Sequence, residues 1–523
     1  MGKSWLKMLK DLTVRPHTKE IRRIEHLPID KDRDKPISFQ TIKDELSKSS
    51  DVIFRDFVVR GREEIPCSLV VVDGLVDKHL LDSYVLRVIM VDATADPAFK
   101  ELTKENLLDC LIELFTPTNE IKKISQMGEA IDGILSGDAV MFVENSSEAL
   151  LISARGWDTR GVAVPQNESS IRGPKEAFNE NLRTNTSLMR RKIKHPSLKL
   201  ISMKIGDLTK TDVVIAYIEK IASDDVVEEV KSRLSRIKIN GIIAGDMLEE
   251  FIEDDPYTPF PLIHNTERPD IVASELLQGR VAILVDGTPS ALIVPMNIAS
   301  FMQVSDDYYE RAMIVILVRT IRYLGALTAV LAPSLYIAVT SFHQELMPIH
   351  LALSVSASRE ATPFSALGEA ILMLFALEIL QEAGLRLPKP VVQTIGIVGA
   401  LIIGDAAVKA NLVSPIMVIV IGLTAVASYT IPAYNLTVSI RLLRFPLMIL
   451  AGTMGFFGVG MGLYFTLVHL LGLRSFGIPY LSPIAPLRIR SLLQDTFVRA
   501  PWWAMRKNPR LLDTDKPKQG GQE

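Results

Sequence analysis

The 523-residue chain is predicted to fold as an α/β region of two similar subdomains followed by an all-α, polytopic membrane domain. Charge separates the two regions. Residues 1–312 carry 41 basic and 51 acidic side chains, whereas residues 313–473 carry 14 charged residues in all, set between long apolar runs. Within the charged half, ILSGDAVMFVENSSEALLI at Ile134–Ile152 is echoed by LLQGRVAILVDGTPSALIV at Leu276–Val294. Leu135/Leu277, Gly137/Gly279, Val143/Val285, Ala149/Ala291 and Leu150/Leu292 fall in register. Apolar strands around a turn-rich centre, the second with Asp286-Gly287, predict a β-hairpin in each copy.

Residues 1–35 form a basic segment. MGKSWLKMLKDLTVRP is cationic but lacks the continuous apolar core of a secretory signal, so the charged half is expected to be cytoplasmic. Trp5, Leu6, Met8, Leu9 and Leu12 among lysines leave open a short interfacial helix. In the first subdomain, residues 36–165, the β-branched strand Ser68–Val72 leads into a helix near Asp77–Met90. In the second, residues 197–305, Val213–Tyr217 leads into a helix near Asp224–Arg236. Between them, residues 166–196 are a basic connector, helical after Pro174. Its Arg172, Lys175, Arg183, Arg190, Arg191 and Lys192 are candidates for contact with acidic headgroups or a partner subunit; the alternative is a solvated basic face.

The membrane domain, residues 313–473, divides into apolar runs. Tyr323–Ser341 has no acidic or basic side chain and follows Arg319 and Arg322, which predicts a first span with its basic flank inside. Thr362-Pro363, as N-cap and first helical residue, opens a second helix to about Glu382. A third run starts near Val391, a fourth covers Leu412–Ile440 and a fifth covers Phe445–Leu473. Arg441 and Arg444 mark a short inside loop between the last two, and the basic tail, residues 474–523, also belongs inside. Five simple crossings cannot satisfy both. An even number is expected, through a re-entrant segment or a further crossing near Asp405–Asn411.

A charge at mid-bilayer costs roughly 2.5–3.5 kcal/mol on insertion scales, which makes Glu369, Glu378, Asp405 and Lys409 ion-pathway candidates. The alternatives are interfacial sites for the glutamates and a structural i,i+4 pair for Asp405 with Lys409. Gly452, Gly455, Gly458 and Gly462 predict close helix packing. An acidic soluble half excludes nucleic-acid binding by bulk charge. Cys67 and Cys110 fit no zinc or redox spacing and read as idle thiols of a reducing compartment. No H-E-x-x-H, Walker loop or G-x-S-x-G is present, so no enzyme activity, metal or cofactor is expected.

Several long stretches carry a family resemblance: GWDTRGVAVPQNESSIRGPKEAFNENLRTNTSLMRR, TERPDIVASELLQGRVAILVDGTPSALIVP, DDYYERAMIVILVRTIRYLG, SASREATPFSALGEAILM, GALIIGDAAVKANLVSP, IRLLRFPL, SFGIPYLSPIAPLR and DTFVRAPWWAMR. In that order, from about residue 156 to 506, the chain resembles the A subunits of spore germinant receptors, the GerA family. The resemblance implies a multi-pass protein of the spore inner membrane, a permease-like B subunit and a lipoprotein C subunit as partners, and a homo-oligomer forming an ion-conducting path. It also implies that the nutrient binds mainly to the B subunit and that sensing is coupled to ion release. A secondary transporter or permease with a cytoplasmic regulatory domain is the alternative from another class, and a membrane-anchored scaffold is a third.

Overall fold

A computed structural model describes residues 33–60, 62–92, 103–104, 106–114, 121–156, 165, 168, 170, 172–386, 404–488 and 492–501. The first part of the chain builds α1 (Phe39–Leu46), β1 (Val52–Arg60), β2 (Glu64–Val72), a helical segment over 78–92, α2 (Leu107–Leu114), β3 (Ile121–Ile124), α3 (Met127–Ser136), β4 (Ala139–Val143) and β5 (Ala149–Ile152). The second part builds α4 (Leu182–Lys192), β6 (Leu198–Ile205), β7 (Thr211–Ile218), α5 (Asp224–Arg236), α6 (Gly245–Ile252), β8 (His264–Thr266), α7 (Pro269–Leu277), β9 (Val281–Val285) and β10 (Ala291–Val294). Each part forms a five-stranded antiparallel sheet of the same order, β1-β2-β4-β5-β3 and β6-β7-β9-β10-β8.

The repeat has a physical basis. Both copies begin in the last turn of a helix, whose chain reverses at Gly137 (φ 94°) and Gly279 (φ 95°), left-handed positions that glycine occupies without a Cβ penalty. The chain then enters β4 and β9, each buried along its whole length. Both faces are covered. Met141 and Val143 pack toward the 78–92 segment and α2, while Val140 and Phe142 pack toward α1 and α3. A strand covered on both sides reads as an unbroken apolar run, which AVMFV and VAILV are. Burial pushes the Cys67 thiol up to about 12, and Cys67 and Cys110 form no disulfide.

The connector is helical over a shorter range than expected. Residues 174–180 are irregular, and α4 starts where Asn181 accepts hydrogen bonds from the Arg183 and Thr184 amides at 2.9 and 3.3 Å. An asparagine N-cap outranks a proline further upstream in fixing the first turn.

The apolar half contains α8 (Ala312–Ser341), α9 (Ile349–Arg359), α10 (Ala366–Arg386), α11 (Pro415–Ser428) and α12 (Tyr434–Gly472). Among the described residues, α8 and α12 are long and apolar enough to cross a membrane. The run expected from Val391 lies largely outside the described residues. The second helix begins at Ala366 rather than at Pro363, because Ser365 supplies the cap, its hydroxyl accepting from the Gly368 amide at 3.2 Å. The loop expected at Arg441–Arg444 is also corrected. Residues 429–433, containing Pro432, break the fourth run, and α12 passes straight through both arginines, whose charges are satisfied by neighbouring helices instead of water.

The real interruption in α12 is Gly455 (φ 60°, ψ −138°). A Cβ on Gly458 would collide with the Leu450 carbonyl, and one on Gly462 with the Leu447 side chain. In a straight helix residues 447 and 462 would stand about 22 Å apart. The arms 434–454 and 456–472 therefore fold back on each other as a hairpin, and the glycines permit the close approach. Gly452 faces Leu367 of α10 in the same way, and Gly455 faces Phe342 and His343 beyond the end of α8.

These contacts define two ends of the bundle. At the base, Gly325 meets Thr430, Arg444 meets Ala329 and Ser428, and Glu378 meets Arg441. At the apex, Glu369 meets Ser414, and Gly452 and Gly455 make the contacts just given. The α8 helix and the first arm of α12 run from base to apex, while α10, α11 and the second arm run back. The base is continuous with the second sheet. Phe260, Met296, Phe301 and Tyr480 share one core with Ala329, Ala427, Leu436, Ile440 and Leu473.

Candidate functional site

Where the soluble region meets the bundle, the chain buries a charged network. Asp307, in the helical turn Asp306–Tyr309, accepts from Arg319 Nε at 2.9 Å and from Arg322 at 2.9 and 3.2 Å. Arg319 also reaches Asp495 at 3.4 Å, and the Tyr308 hydroxyl donates to that carboxylate at 2.9 Å. Burial opposes the Asp307 charge, but the hydrogen bonds and charges of Arg322 and Arg319 outweigh it and hold Asp307 below the usual carboxylate range. Asp495 is less well matched. Burial outweighs the help from Arg319 and Tyr308 and lifts its carboxyl to about 6. Arg319 and Arg322, expected as a basic flank, are interior residues. Asp307 and Asp495 were not singled out from sequence; an acid one helical turn ahead of a membrane run with arginines three apart was the available signal.

The connector residues divide into two groups. Arg190 is wholly buried and clasps Asp51 with Nε and Nη2 at 2.7 and 2.9 Å. Beside it, buried Lys199 donates to the Glu45 carbonyl at 2.8 Å, and the Ser50 amide donates to the Leu200 carbonyl at 2.8 Å. These bonds fix residues 45–51 of the first part against β6 of the second, so Arg190 is committed to the interior. Arg191 and Lys192 share Glu176 at 3.2 and 2.6 Å. Nearer the surface, Arg183 pairs with Asp73 at 2.7 Å, Arg172 pairs with Glu310 at 3.1 Å, and Lys175 is exposed. One short segment thus touches the first sheet, the second sheet and the entry to α8.

Within the bundle, Glu369 is fully buried at the apex. It accepts from Arg359 Nε and the Thr362 hydroxyl at 3.3 Å each, and from the Ser414 amide at 3.0 Å. Glu378 forms a two-point ion pair with Arg441 at the base. The two glutamates are therefore apart, one at each end. Asp405 and Lys409 pair at 2.6 Å on an exposed helical turn and join neither. Arg444, expected as the marker of an inside loop, is an interior residue of the bundle. Its Nε donates to the Ala329 carbonyl at 2.9 Å, and Pro333, four residues further along α8, lacks the amide that would normally take that carbonyl.

A charged double-sheet region joined through buried ion pairs to an apolar helical bundle defines a two-part protein. The chain belongs to the Bacillus/Clostridium GerA spore germination protein family, whose model matches residues 40–511. It is 42% identical over 489 residues to an uncharacterized membrane protein YfkQ of Bacillus subtilis (strain 168), covering 92% of this chain and 93% of that one. Spore germination protein KA of the same organism is 40% identical over 481 residues, covering 91% and 87%. Spore germination protein A1, again of that organism, is 40% identical over 418 residues, covering 77% and 86%. A crystal structure of the N-terminal domain of the A subunit of the Bacillus megaterium spore germinant receptor GerK3 is 36% identical and covers 49% of this chain and 92% of its own, with a TM-score of 0.39.

Proposed function

We propose that this chain is the membrane subunit of a nutrient-sensing germinant receptor. It works with a permease-like B subunit that binds the nutrient and a lipoprotein C subunit, and it couples detection to ion release across the spore inner membrane as a homo-oligomeric conducting component. The observation that supports this reading most is the joint itself. A soluble region tied through Asp307 to the first bundle helix, and through its connector to both sheets, passes a displacement on one side to the helices on the other. Ligand binding on a partner then drives the change only through differential affinity for two arrangements.

An even number of crossings fits the alternation of ends, since α8 leaves the base and the second arm of α12 returns to it. The soluble region and the basic tail then share the cytoplasmic side, as the positive-inside rule asks. Glu369 and Glu378 are the ion-path candidates, each held by an arginine in this arrangement, and opening requires at least one to change partner. Asp405 with Lys409 is the weaker candidate, being neutralised within one turn. Co-reconstitution of the three subunits in vesicles tests the reading. Nutrient-gated ion flux that requires this chain, altered by Glu378→Gln or Glu369→Gln with assembly intact, is the expected result. Stoichiometric solute uptake would replace it with a transporter, and neither flux nor uptake would leave a scaffold.

A further inference from the structure

Residues 492–499 come back from the end of the chain to the entry of α8 and are held there from several sides. Gln303 donates to the Asp495 carbonyl at 2.7 Å, and Tyr323 donates its hydroxyl to the Thr496 carbonyl at 3.2 Å. The Phe497 ring lies 4.8 Å from that of Tyr323. Arg499 donates to the Glu310 and Tyr308 carbonyls at 3.0 and 3.4 Å, and the Asp495 carboxylate takes the Tyr308 and Arg319 bonds described above. Most of these partners lie between Gln303 and Tyr323, so the segment bridges the turn before α8 and the first two turns and more of α8 itself.

Releasing this segment leaves the joint with one net positive charge but strands neither arginine without a carboxylate, since Asp307 serves both Arg319 and Arg322. We propose that residues 492–499 form a releasable strap, which when docked clamps the entry of α8 to the turn Asp306–Tyr309 and when undocked frees α8 to move against the soluble region. The strap acts whatever the bundle conducts.

Docking carries a proton balance. Facing Asp495 are Tyr308 and Arg319, with Tyr323 and Arg499 alongside, Asp307 and Arg322 behind Arg319, and Glu275, which is paired with Arg280. Docked Asp495 sits at about 6, above the ordinary value of 3.8 that the free segment would have, so the docked state holds the proton more tightly. Docking therefore strengthens as pH falls through 6 and is weakest at neutral pH and above; between pH 7 and 5 the gain is about tenfold. Burial also raises the Glu275 carboxyl, against the opposing charge of Arg280.

Hydrogen exchange on the full-length chain in nanodiscs, corrected for intrinsic rates, reads the strap directly. Residues 492–499 should be about tenfold better protected at pH 5 than at pH 7, and Asp495→Asn should flatten that change. Phe497 is 43% exposed, so Phe497→Ala empties no core; it should raise exchange across 492–499 and 306–323 together. Protection that is absent at both pH values, a wild-type pH response in Asp495→Asn, or unaltered exchange at 306–323 in Phe497→Ala would each overturn the proposal.

Discussion

Arg444 of the bundle is buried by a different rule from the arginines of the soluble region. In the soluble region each of Arg190, Arg268 and Arg280 meets a carboxylate, from Asp51, Asp270 and Glu275, at 2.7 to 2.9 Å. In the bundle Arg444 is 1% exposed and, among the described residues, is met by a backbone carbonyl and the Ser428 hydroxyl. Two helix defects make that sufficient. Pro333 leaves the Ala329 carbonyl without its usual partner, and α11 ends at Ser428, where the helix presents the negative end of its dipole. Side-chain charge holds two sheets together in one half, and broken backbone solvates a cation in the other.

The soluble rule breaks first at Arg190. Arg190→Met strands a buried Asp51, and about 3–5 kcal/mol of stability should be lost, read by urea unfolding in detergent; adding Asp51→Leu should return most of it. A loss below about 1 kcal/mol would mean the pair is dispensable. In the bundle, Arg444→Met should cost about 1–3 kcal/mol by leaving two buried acceptors unmet. The same substitution should cost less in a Pro333→Ala background, where residue 333 gains an amide for the Ala329 carbonyl, so a double-mutant cycle isolates the backbone contribution. Equal costs in both backgrounds would remove Pro333 from the explanation.

Titration sharpens the contrast. Burial, aided by Arg280, pushes His264 down to about 4, and its ring stands edge-on to Phe301 at 5.6 Å. An unfolded histidine near 6.5 takes up protons before the folded one does. Stability should be complete above 6.5 and fall as pH drops toward 4, with a slope of up to about 1.4 kcal/mol per unit from this group. His264→Leu should flatten that part of the profile. The smallest effect belongs to the exposed pair: Lys409→Gln should change stability by no more than about 0.5 kcal/mol in the same unfolding assay.

What could be foreseen follows from range. The repeat was legible because β4 and β9 are covered on both faces and because Gly137 and Gly279 answer the same local demand after a helix. Edge strands β3 and β8, reading IKKI and HNT, carry little local preference and exist by pairing with β5 and β10. The hidden joint was out of reach, since Asp307 and Asp495 meet on one guanidinium from opposite sides of the apolar half. Arg441 and Arg444 misled for a related reason: near an apolar run, arginine usually marks water, but here it marks a neighbouring helix. Of the candidate residues, Asp405 with Lys409 was readable as a pair from spacing, whereas the inward turn of Arg190 depends on Asp51 far upstream.

The turn at Gly455 has a mechanical consequence. Both lower ends of the hairpin are anchored on one short stretch of the soluble region, Ser439 donating to the Pro259 carbonyl and His469 bonded to the Thr258 hydroxyl at 2.9 Å. Two footings side by side and a closed tip give the pair of arms the geometry of a single lever footed at residues 258–260. If the arms move as one body, a rotation of that loop by a few degrees displaces the tip further than the footings, at the place where Gly455 rests against Phe342 and His343.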